Sequence, residues 1–379
     1  MGRLKASASE IEITPPIGTY LTGYGIRIKP AKSVHDPLMA RGILLYDGQT
    51  NLLIISCDLL GFDTASVAEI RKDIQCKTSI PAGNILIACT HTHSGPATAK
   101  FRGAMGHVNE KWLKDVKMKI AEMASELPKQ LQPASFGYNS CQVTGIGFNR
   151  QDRSHPIDEE LTIIKIDDTK GNAIATLMNY STHAVILGPN LEISGDFPGE
   201  ACRHLQKLCG GIAFYLQGAS GDAEPLTQIE YGWGRGGFAS TKRIGELLAN
   251  KANELTRKIT TTNNTEIRIA SRLINLPLEN PPSHEEFLKI KKEYLEERNR
   301  AINQNDEGLK ILYQGLLEWA DDMEKHLNDC TLPKELHSEI FVAAINDLRI
   351  IAVPFEPYTD IALELKRRLN PLKTIVSGY

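Results

Sequence analysis

The most informative stretch of the chain is Ile85-Leu86-Ile87-Ala88-Cys89-Thr90-His91-Thr92-His93-Ser94-Gly95-Pro96. Five apolar residues bounded by a polar loop predict a short buried strand. His91 and His93 follow that strand directly, at the carboxyl end, where α/β sheets build their sites. Imidazole nitrogen suits Zn²⁺, and two histidines at i, i+2 can aim into one cleft. The alternative is that one or both histidines only hydrogen-bond the end of the strand.

On both sides of this stretch, apolar runs with a period of two alternate with runs with a period of 3.6. This alternation predicts a mixed α/β (α+β) fold, which we expect to consist of layered mixed β-sheets flanked by helices. The predicted strands are 43–46, 52–57, 85–89, 161–167, 173–180, 212–216, 340–345 and 349–353, and the predicted helices are 63–74, 109–127 and 238–255.

Residues 283–330 differ in composition from the rest of the chain. Ser283-His284-Glu285-Glu286 is a capping-box start, followed by strongly charged helical sequence and a second helix over about 307–327. Proline pairs and turns flank the segment. We therefore expect a helical hairpin inserted into one domain that covers residues 1–379. The hairpin either covers a cleft, mediates association into a homo-oligomer, or is a solvated surface element.

Composition excludes several classes of protein. The 379 residues carry 43 Lys+Arg against 46 Asp+Glu, a net charge of −3, and 41% are hydrophobic. This composition excludes a disordered chain and a fibrous rod. The sequence has no block of Lys and Arg of the kind that binds nucleic acid, so a nucleic-acid-binding protein is not expected. No apolar run is long enough for a transmembrane helix. The start of the chain lacks an apolar leader and the seven cysteines are scattered, so we expect a cytoplasmic location.

Four further predicted strands end in chemically useful side chains. These strand ends carry Asp58, His183, the loop Gln217–Pro225, and Glu356 between two prolines. Asp196, in the segment after His183, either only caps a helix that has Pro198 in its first turn or also belongs to a site. The glycines of the loop suit a tight turn, or backbone N–H groups that hold an oxyanion. Histidines and carboxylates together are the composition of a catalytic zinc site.

In this arrangement the chain resembles the neutral/alkaline non-lysosomal ceramidase family, in its N-terminal catalytic domain. The most specific motif is the Thr90–Pro96 stretch. The matching motifs, in chain order, are Glu12-Ile13-Thr14-Pro15-Pro16, Gly23-Tyr24-Gly25, His35-Asp36-Pro37-Leu38-Met39-Ala40-Arg41, Thr90–Pro96, Asn149-Arg150, His183, Asp196 with Gly199, Gln217-Gly218 with Gly221-Asp222, and Pro354 with Glu356.

The resemblance implies a Zn²⁺ ion bound by His91, His183 and Glu356. It further implies that His93 and Arg150 lie beside the metal, where they polarise the scissile carbonyl or stabilise the oxyanion, and that Asp196 belongs to the catalytic set. The family hydrolyses the amide bond of N-acyl sphingoid bases. The implied enzyme is a zinc-dependent hydrolase that cleaves an N-acylated amine, a lipid or small molecule, by metal-activated water.

The chain departs from the family at three points. The place of the family's proposed nucleophilic serine is Gly195, with Ser194 one residue away, so a serine nucleophile is not favoured. Longer members carry a zinc-ligating tyrosine downstream of a Gly-Tyr that resembles Gly378-Tyr379. They also carry an immunoglobulin-like C-terminal domain. The alternatives are therefore a metal-dependent hydrolase of another small amide or ester, or an inactive binding relative.

Overall fold

The computed structural model of the chain describes residues 2–231 and 236–379. Its strands are β1 Gly2–Arg3, β2 Lys5–Glu12, β3 Ser33–Val34, β4 Met39–Tyr46, β5 Asn51–Cys57, β6 Ile85–Cys89, β7 Gln132–Gln142, β8 Gly147–Asn149, β9 Glu160–Asp168, β10 Ala173–Tyr180, β11 Glu192–Ile193, β12 Ile212–Gln217, β13 Ala223–Pro225, β14 Asn264–Thr265, β15 Ile267–Pro277, β16 Glu335–Ile345, β17 Leu348–Ala352 and β18 Lys373–Ser377. The α-helices are α1 Thr64–Thr78, α2 Glu110–Glu126, α3 Asp196–Cys209, α4 Thr227–Tyr231, α5 Gly237–Thr256, α6 His284–Asn303, α7 Glu307–Asn328 and α8 Thr359–Leu369.

Two mixed sheets form the body of the molecule. The larger has eight strands in the order β12-β10-β9-β7-β2-β4-β5-β6, and the smaller has four in the order β15-β16-β17-β18. Most neighbouring strands are antiparallel. The parallel pairs are β5 with β6, β10 with β12, and β17 with β18. In the chain, a helix separates the two strands of each of these three pairs, so each pair is a β-α-β unit. The loops that follow the carboxyl ends of such strands are the places where α/β proteins build their sites.

The layers follow from the alternation of side chains along the strands. In β6, Leu86 and Ala88 belong to the core shared by the two sheets, whereas Ile85, Ile87 and Cys89 face the helices. Helices α1 and α2 cover one half of the outer face of the large sheet, and α3 and α5 cover the other half. Helix α8 packs on β18. The fold is therefore a layer of helices, the large sheet and the small sheet, which confirms the predicted mixed α/β class.

Helices α6 and α7 form the predicted hairpin, inserted between β15 and β16. Ser283 and Glu286 make the predicted capping box at the start of α6. Helix α7 contacts the body closely, since a Cβ added to Gly315 would lie 3.1 Å from the nitrogen of Gly103 and one added to Gly25 would lie 2.6 Å from Leu312. The hairpin is therefore a packed element on one side and a charged, exposed element on the other.

The structure also contains elements that the apolar periodicity did not predict. Strands β7, β15 and β18 and helix α8 lie outside the predicted ranges, whereas α3 begins where a helix with Pro198 in its first turn was expected. Strand β15 has exposed residues along most of its length, so its hydropathy pattern is weak. Within the described residues, no helix combines the length and apolarity needed to cross a bilayer.

Candidate metal centre

Three histidines converge where the carboxyl ends of the strands meet. His91 and His93 follow β6, and His183 follows β10. The Nε2 atoms of His91 and His183 are 3.1 Å apart, and those of His93 and His91 are 3.4 Å apart. One ligand atom from each of the three lies within 4.8 Å of the others, a group able to hold a metal ion. The structure therefore brings His91, His93 and His183 together at one place.

The hydrogen bonds of two imidazoles assign their tautomers. Nδ1 of His91 lies 2.8 Å from the Leu60 carbonyl oxygen, and Nδ1 of His183 lies 2.8 Å from that of Ser220. A carbonyl only accepts, so each Nδ1 carries the proton and each Nε2 presents a lone pair to the centre. Two lone pairs that face each other at 3.1 Å repel, and either a proton or a metal ion between them removes that repulsion. The donor set therefore fits a metal ion, and the carbonyls supply the orienting hydrogen bonds that metal-binding histidines need.

Glu356, which follows strand β17 of the small sheet, adds a carboxylate to the three histidines. Its Oε1 lies 3.1 Å from Nε2 of His183 and 3.6 Å from Nε2 of His91. Burial raises the pKa of this carboxyl, but the two imidazoles outweigh it and hold the pKa below its ordinary value. The predicted ligands His91, His183 and Glu356 thus lie together. His93 lies as close to the group as Glu356 does, so either can complete a set of three ligands.

The segment that follows β2 packs against the side chain of His93. A Cβ added to Gly23 would lie 2.4 Å from Nδ1 of His93, and Gly23 has φ +96°, so this residue must be glycine. The ring of Tyr24 lies edge-on to the His93 ring at 5.1 Å, and Arg27 donates to the His93 carbonyl oxygen. Burial, with the charges of neighbouring imidazoles, lowers the pKa of His93 well below its usual value. His93 is therefore a neutral base.

Tyr379 covers the opposite side of the centre. Its ring centroid lies 3.8 Å from that of His91, and its hydroxyl lies 2.9 Å from Oγ of Ser220. Its carbonyl accepts from the backbone N–H of Cys89, at the end of β6. The terminal tyrosine of this chain therefore orients His91 by contact, and its hydroxyl is hydrogen-bonded to a serine whose carbonyl holds His183.

Arg150 lies at the rim of the centre and is partly exposed. Its Nη1 donates to Oε1 of Glu224 at 2.9 Å, and its backbone N–H donates to the Asp222 carbonyl. Its charge acts on the Tyr379 hydroxyl, although burial is the main reason why the pKa of that tyrosine is raised. The ion pair with Glu224 leaves further guanidinium N–H groups available for a ligand.

The side chains of Asp196 and Ser194 are fully buried, and both form hydrogen bonds with nearby backbone N–H groups. The Asp196 carboxylate accepts from the N–H groups of Phe197 and Leu187, and its φ is +52°, so it is the first residue of α3 rather than the predicted cap. Burial raises its pKa to about 7. Ser194 Oγ donates to Asp36 at 2.5 Å and accepts from the Asp196 N–H, so this hydroxyl is fully engaged and cannot act as a nucleophile in this arrangement.

At two other strand ends the side chains and N–H groups have structural partners, and for the Gln217–Pro225 loop this agrees with the tight-turn alternative. Asp58 is buried against Arg41, with 2.9 Å between Nη1 and Oδ2, and this ion pair holds it within the core. The N–H groups of Gly218 and Gly221 donate to the carbonyls of Tyr180 and Pro357, so they are not free to bind an oxyanion. This loop supports the site in another way, because the Ser220 carbonyl fixes the tautomer of His183.

His91 itself has φ +62°, in the left-handed region that favours glycine. Its backbone N–H donates to the Leu59 carbonyl, which fixes this turn directly after β6. The strained turn directs the His91 ring toward His183, in place of continuing the strand. Strain of this kind persists only where the surroundings enforce it, and it concentrates at functional sites.

The fold and the site together define a class: layered α/β proteins with a cluster of histidines, able to hold a metal ion, at the carboxyl ends of their strands. The sequence pattern of the family described as "Neutral/alkaline non-lysosomal ceramidase, N-terminal" matches residues 7–222, more than half of the chain. The chain belongs to the neutral/alkaline non-lysosomal ceramidase family.

Similar proteins agree with this assignment. Neutral ceramidase B of Dictyostelium discoideum is 23% identical over 239 residues, which are 55% of this chain and 33% of that protein. Neutral ceramidase of Pseudomonas aeruginosa is 25% identical over 261 residues, 62% of this chain and 39% of that protein. The crystal structure of the latter superposes on all of this chain and 68% of its own, with a TM-score of 0.74 at 18% identity. The matched sequence segments thus span 33% and 39% of the length of these two curated relatives.

Proposed function

We propose that the protein is a zinc-dependent hydrolase that cleaves the amide bond of an N-acylated amine, with ceramide-like lipids as the first substrates to test. The observation that carries the proposal is the convergence of His91, His93 and His183, with one ligand atom from each within 4.8 Å of the others, and of the Glu356 carboxylate, whose Oε1 lies 3.1 Å from Nε2 of His183. Similarity to proteins named neutral ceramidases supports the amide as the bond that is cleaved.

The residues divide into ligands and groups that act on the substrate. His91, His183 and Glu356 would hold the zinc ion, with His93 as a further ligand or a base. Zinc in such a site lowers the pKa of a water molecule toward 7 and polarises the amide carbonyl. Arg150 would donate to the developing oxyanion, a role that the partial exposure of its side chain supports. His93, neutral because it is buried, can accept a proton at Nε2 and pass it to the leaving amine.

Metal content and turnover together test this proposal. The purified protein should hold about one Zn²⁺ per chain, and His91→Ala and His183→Ala should lose the metal and the hydrolysis of N-acyl sphingoid bases. His326→Ala, an exposed histidine on α7, is the matched control and should retain both. Absence of zinc, with equal thermal stability in the presence and absence of added metal, would contradict the metal site.

Substrate range separates the remaining alternatives. A series of N-acyl amides should be compared in which chain length and head group vary independently. Turnover of short water-soluble amides or esters without turnover of ceramides would retain the metal chemistry and reject the lipid substrate. Zinc binding without turnover of any member would identify a binding relative and reject the proposed hydrolase.

A further inference from the structure

The segment 22–27 contacts both His93 and helix α7 of the hairpin. Gly23 lies against the His93 ring, and the Tyr24 ring lies edge-on to it. Arg27 donates to the His93 carbonyl oxygen. The backbone of the same segment also packs on residues of α7. A single stretch of six residues therefore connects the hairpin to a histidine of the metal centre.

Leu312 makes the most direct of these contacts. It occupies the space that a side chain at position 25 would fill, since a Cβ added to Gly25 would lie 2.6 Å from Cδ1 of Leu312. Apart from the chain neighbours of Gly25, no other described residue has an atom within 4 Å of that point. The packing of the segment at Gly25 therefore depends on one leucine side chain of α7.

Two glycines on the same face of α7 allow the helix to approach this closely. Gly308 and Gly315 are two helical turns apart, and Leu312 lies between them on that face. A Cβ added to Gly308 would lie 2.7 Å from the carbonyl oxygen of Ile26. Glycine inside a helix is less favourable than alanine, so the close contact with the body is what these two positions contribute.

Helix α7 also contacts the loop that follows the His-x-His motif. Arg102 of this loop forms an ion pair with Asp322 of α7. Thr22, in the segment 22–27, donates from Oγ1 to the Met105 carbonyl oxygen at 2.9 Å. The segment and the loop are therefore joined to each other, and α7 packs on both.

We propose that Leu312 is a positioning residue of the metal centre, which holds the segment 22–27 against the His93 ring by filling the space at Gly25. This inference rests on the proposed function, in which His93 is a ligand or a base beside the zinc ion. Loss of the leucine side chain lets the segment move away from His93, and a histidine that is less well oriented binds a metal ion less tightly. The hairpin is then part of the support of the centre.

The test measures the zinc dissociation constant of the full chain by competition with a chelator. Leu312→Ala should weaken zinc binding by about 10-fold, the lower end of the range for groups that orient metal ligands. Leu317→Ala is the matched control. Leu317 is 8% exposed and lies one turn from Tyr313, whose ring is 6.4 Å from that of Tyr294 on α6, so it faces the other helix of the hairpin. This control should lower stability but leave zinc affinity unchanged.

An exchange of side-chain size across the contact distinguishes positioning from general stability. Gly25 lies outside the left-handed region of φ, so alanine fits its backbone. Gly25→Ala alone should press on Leu312 and weaken zinc binding. In the double variant Gly25→Ala/Leu312→Ala the new methyl group enters the vacated space, and zinc affinity should return to within about threefold of the wild type. If Leu312→Ala fails to fold, Leu312→Val is the smaller change, and it should weaken zinc binding to a lesser extent.

A second cycle tests whether Leu312 acts through His93. In a His93→Ala background, Leu312→Ala should cause no further loss of zinc affinity, because the group that it positions is gone. An unchanged affinity in Leu312→Ala, no recovery in the double variant with Gly25→Ala, or an equal loss in the His93→Ala background would each overturn the inference and leave the proposed function intact. Failure of the wild type to bind zinc would reject the proposed function, and this inference with it.

Discussion

Arg27 and His93 are joined by a hydrogen bond of 2.6 Å, from Nη2 of the guanidinium to the carbonyl oxygen of the histidine. Arg27 is 3% exposed, and its guanidinium also donates to the carbonyls of Thr22 and Asn190. Burial lowers its pKa to about 10, still high enough for a full charge at neutral pH. A buried cation thus ties the loop after β6 to the segment that carries Gly23.

Replacing Arg27 with Met should lower the free energy of unfolding by about 2–4 kcal/mol, because the carbonyls of Thr22, His93 and Asn190 lose a buried, charged donor. Zinc affinity should fall as well, since His93 loses the hydrogen bond to its backbone. Urea unfolding and zinc titration measure the two effects. Arg268→Met is the control, because Arg268 is exposed and pairs with exposed Glu266, and it should cost no more than about 0.5 kcal/mol. Equal effects of the two variants would contradict this role.

Gly23 and Gly18 form a matched pair for testing the support of His93. Their φ values are +96° and +92°, so an alanine at either position costs about 1–2 kcal/mol in backbone strain. Only Gly23→Ala also places a Cβ against the His93 ring. We expect Gly23→Ala to weaken zinc binding by about 10- to 100-fold and Gly18→Ala to leave it unchanged. Zinc titration of both variants checks this, and equal affinities would show that the ring adjusts freely.

Glu160 links β9 to α8 and β18 and should make stability depend on pH. Burial raises its pKa, but the charges of Lys366 and Lys373 outweigh it and lower the pKa to about 2. The folded-state pKa is below the ordinary value, so this stabilisation is present above about pH 4.5 and is lost as the pH falls toward 2. Glu160→Gln should therefore be less stable than the wild type by about 1–3 kcal/mol at pH 7, with the gap closing in acid.

Urea unfolding at pH 7, 5 and 3.5 measures this dependence. Glu364→Gln removes an exposed carboxylate paired with Arg367 and Arg368 on α8, and solvent screening should leave its effect small at every pH. A gap between wild type and Glu160→Gln that does not change with pH would mean that the residue contributes by packing alone.

Asp196 should show the opposite dependence. Its folded-state pKa, about 7, is above the ordinary value, so its contribution is present in acid and is lost as the pH rises through 7. Asp196→Asn should therefore gain about 2–4 kcal/mol relative to the wild type between pH 4 and pH 8. Unfolding measured at both pH values checks this. Turnover by the same variant tests the predicted catalytic role, and retention of full activity would reject that role.

Sequence alone located the centre because its main components are local. Two local patterns identify the histidines: a buried strand followed by His-x-His, and a second strand followed by His183. In each pattern the histidine stands directly after the strand, at its carboxyl end. The first predicted strand of this kind, 85–89, has the same bounds in the structure. The convergence of these histidines itself depends on distant contacts, because β6 and β10 lie near opposite ends of the eight-stranded sheet, and β5 contacts β12 where Ser56 Oγ donates to the Tyr215 carbonyl.

The supporting residues could not be predicted in this way, because their roles arise from long-range packing. Arg27 acts on a carbonyl 66 positions away, and Arg150 and Glu224 are paired across 74 positions. Nothing in the adjacent sequence marks Glu224 as buried. Asp58 is only a candidate by sequence for the same reason, since its neutralisation by Arg41 depends on the pairing of β4 with β5.

The left-handed backbone at His91 and Asp196 sets stability against function. Each residue pays about 1–2 kcal/mol for a conformation that glycine adopts without strain. A library of variants selected for heat resistance alone should therefore accumulate glycine at these two positions, and the survivors would be sturdier proteins that no longer retain zinc. Engineering a more durable form of this chain requires that thermal selection be paired with a screen for bound metal.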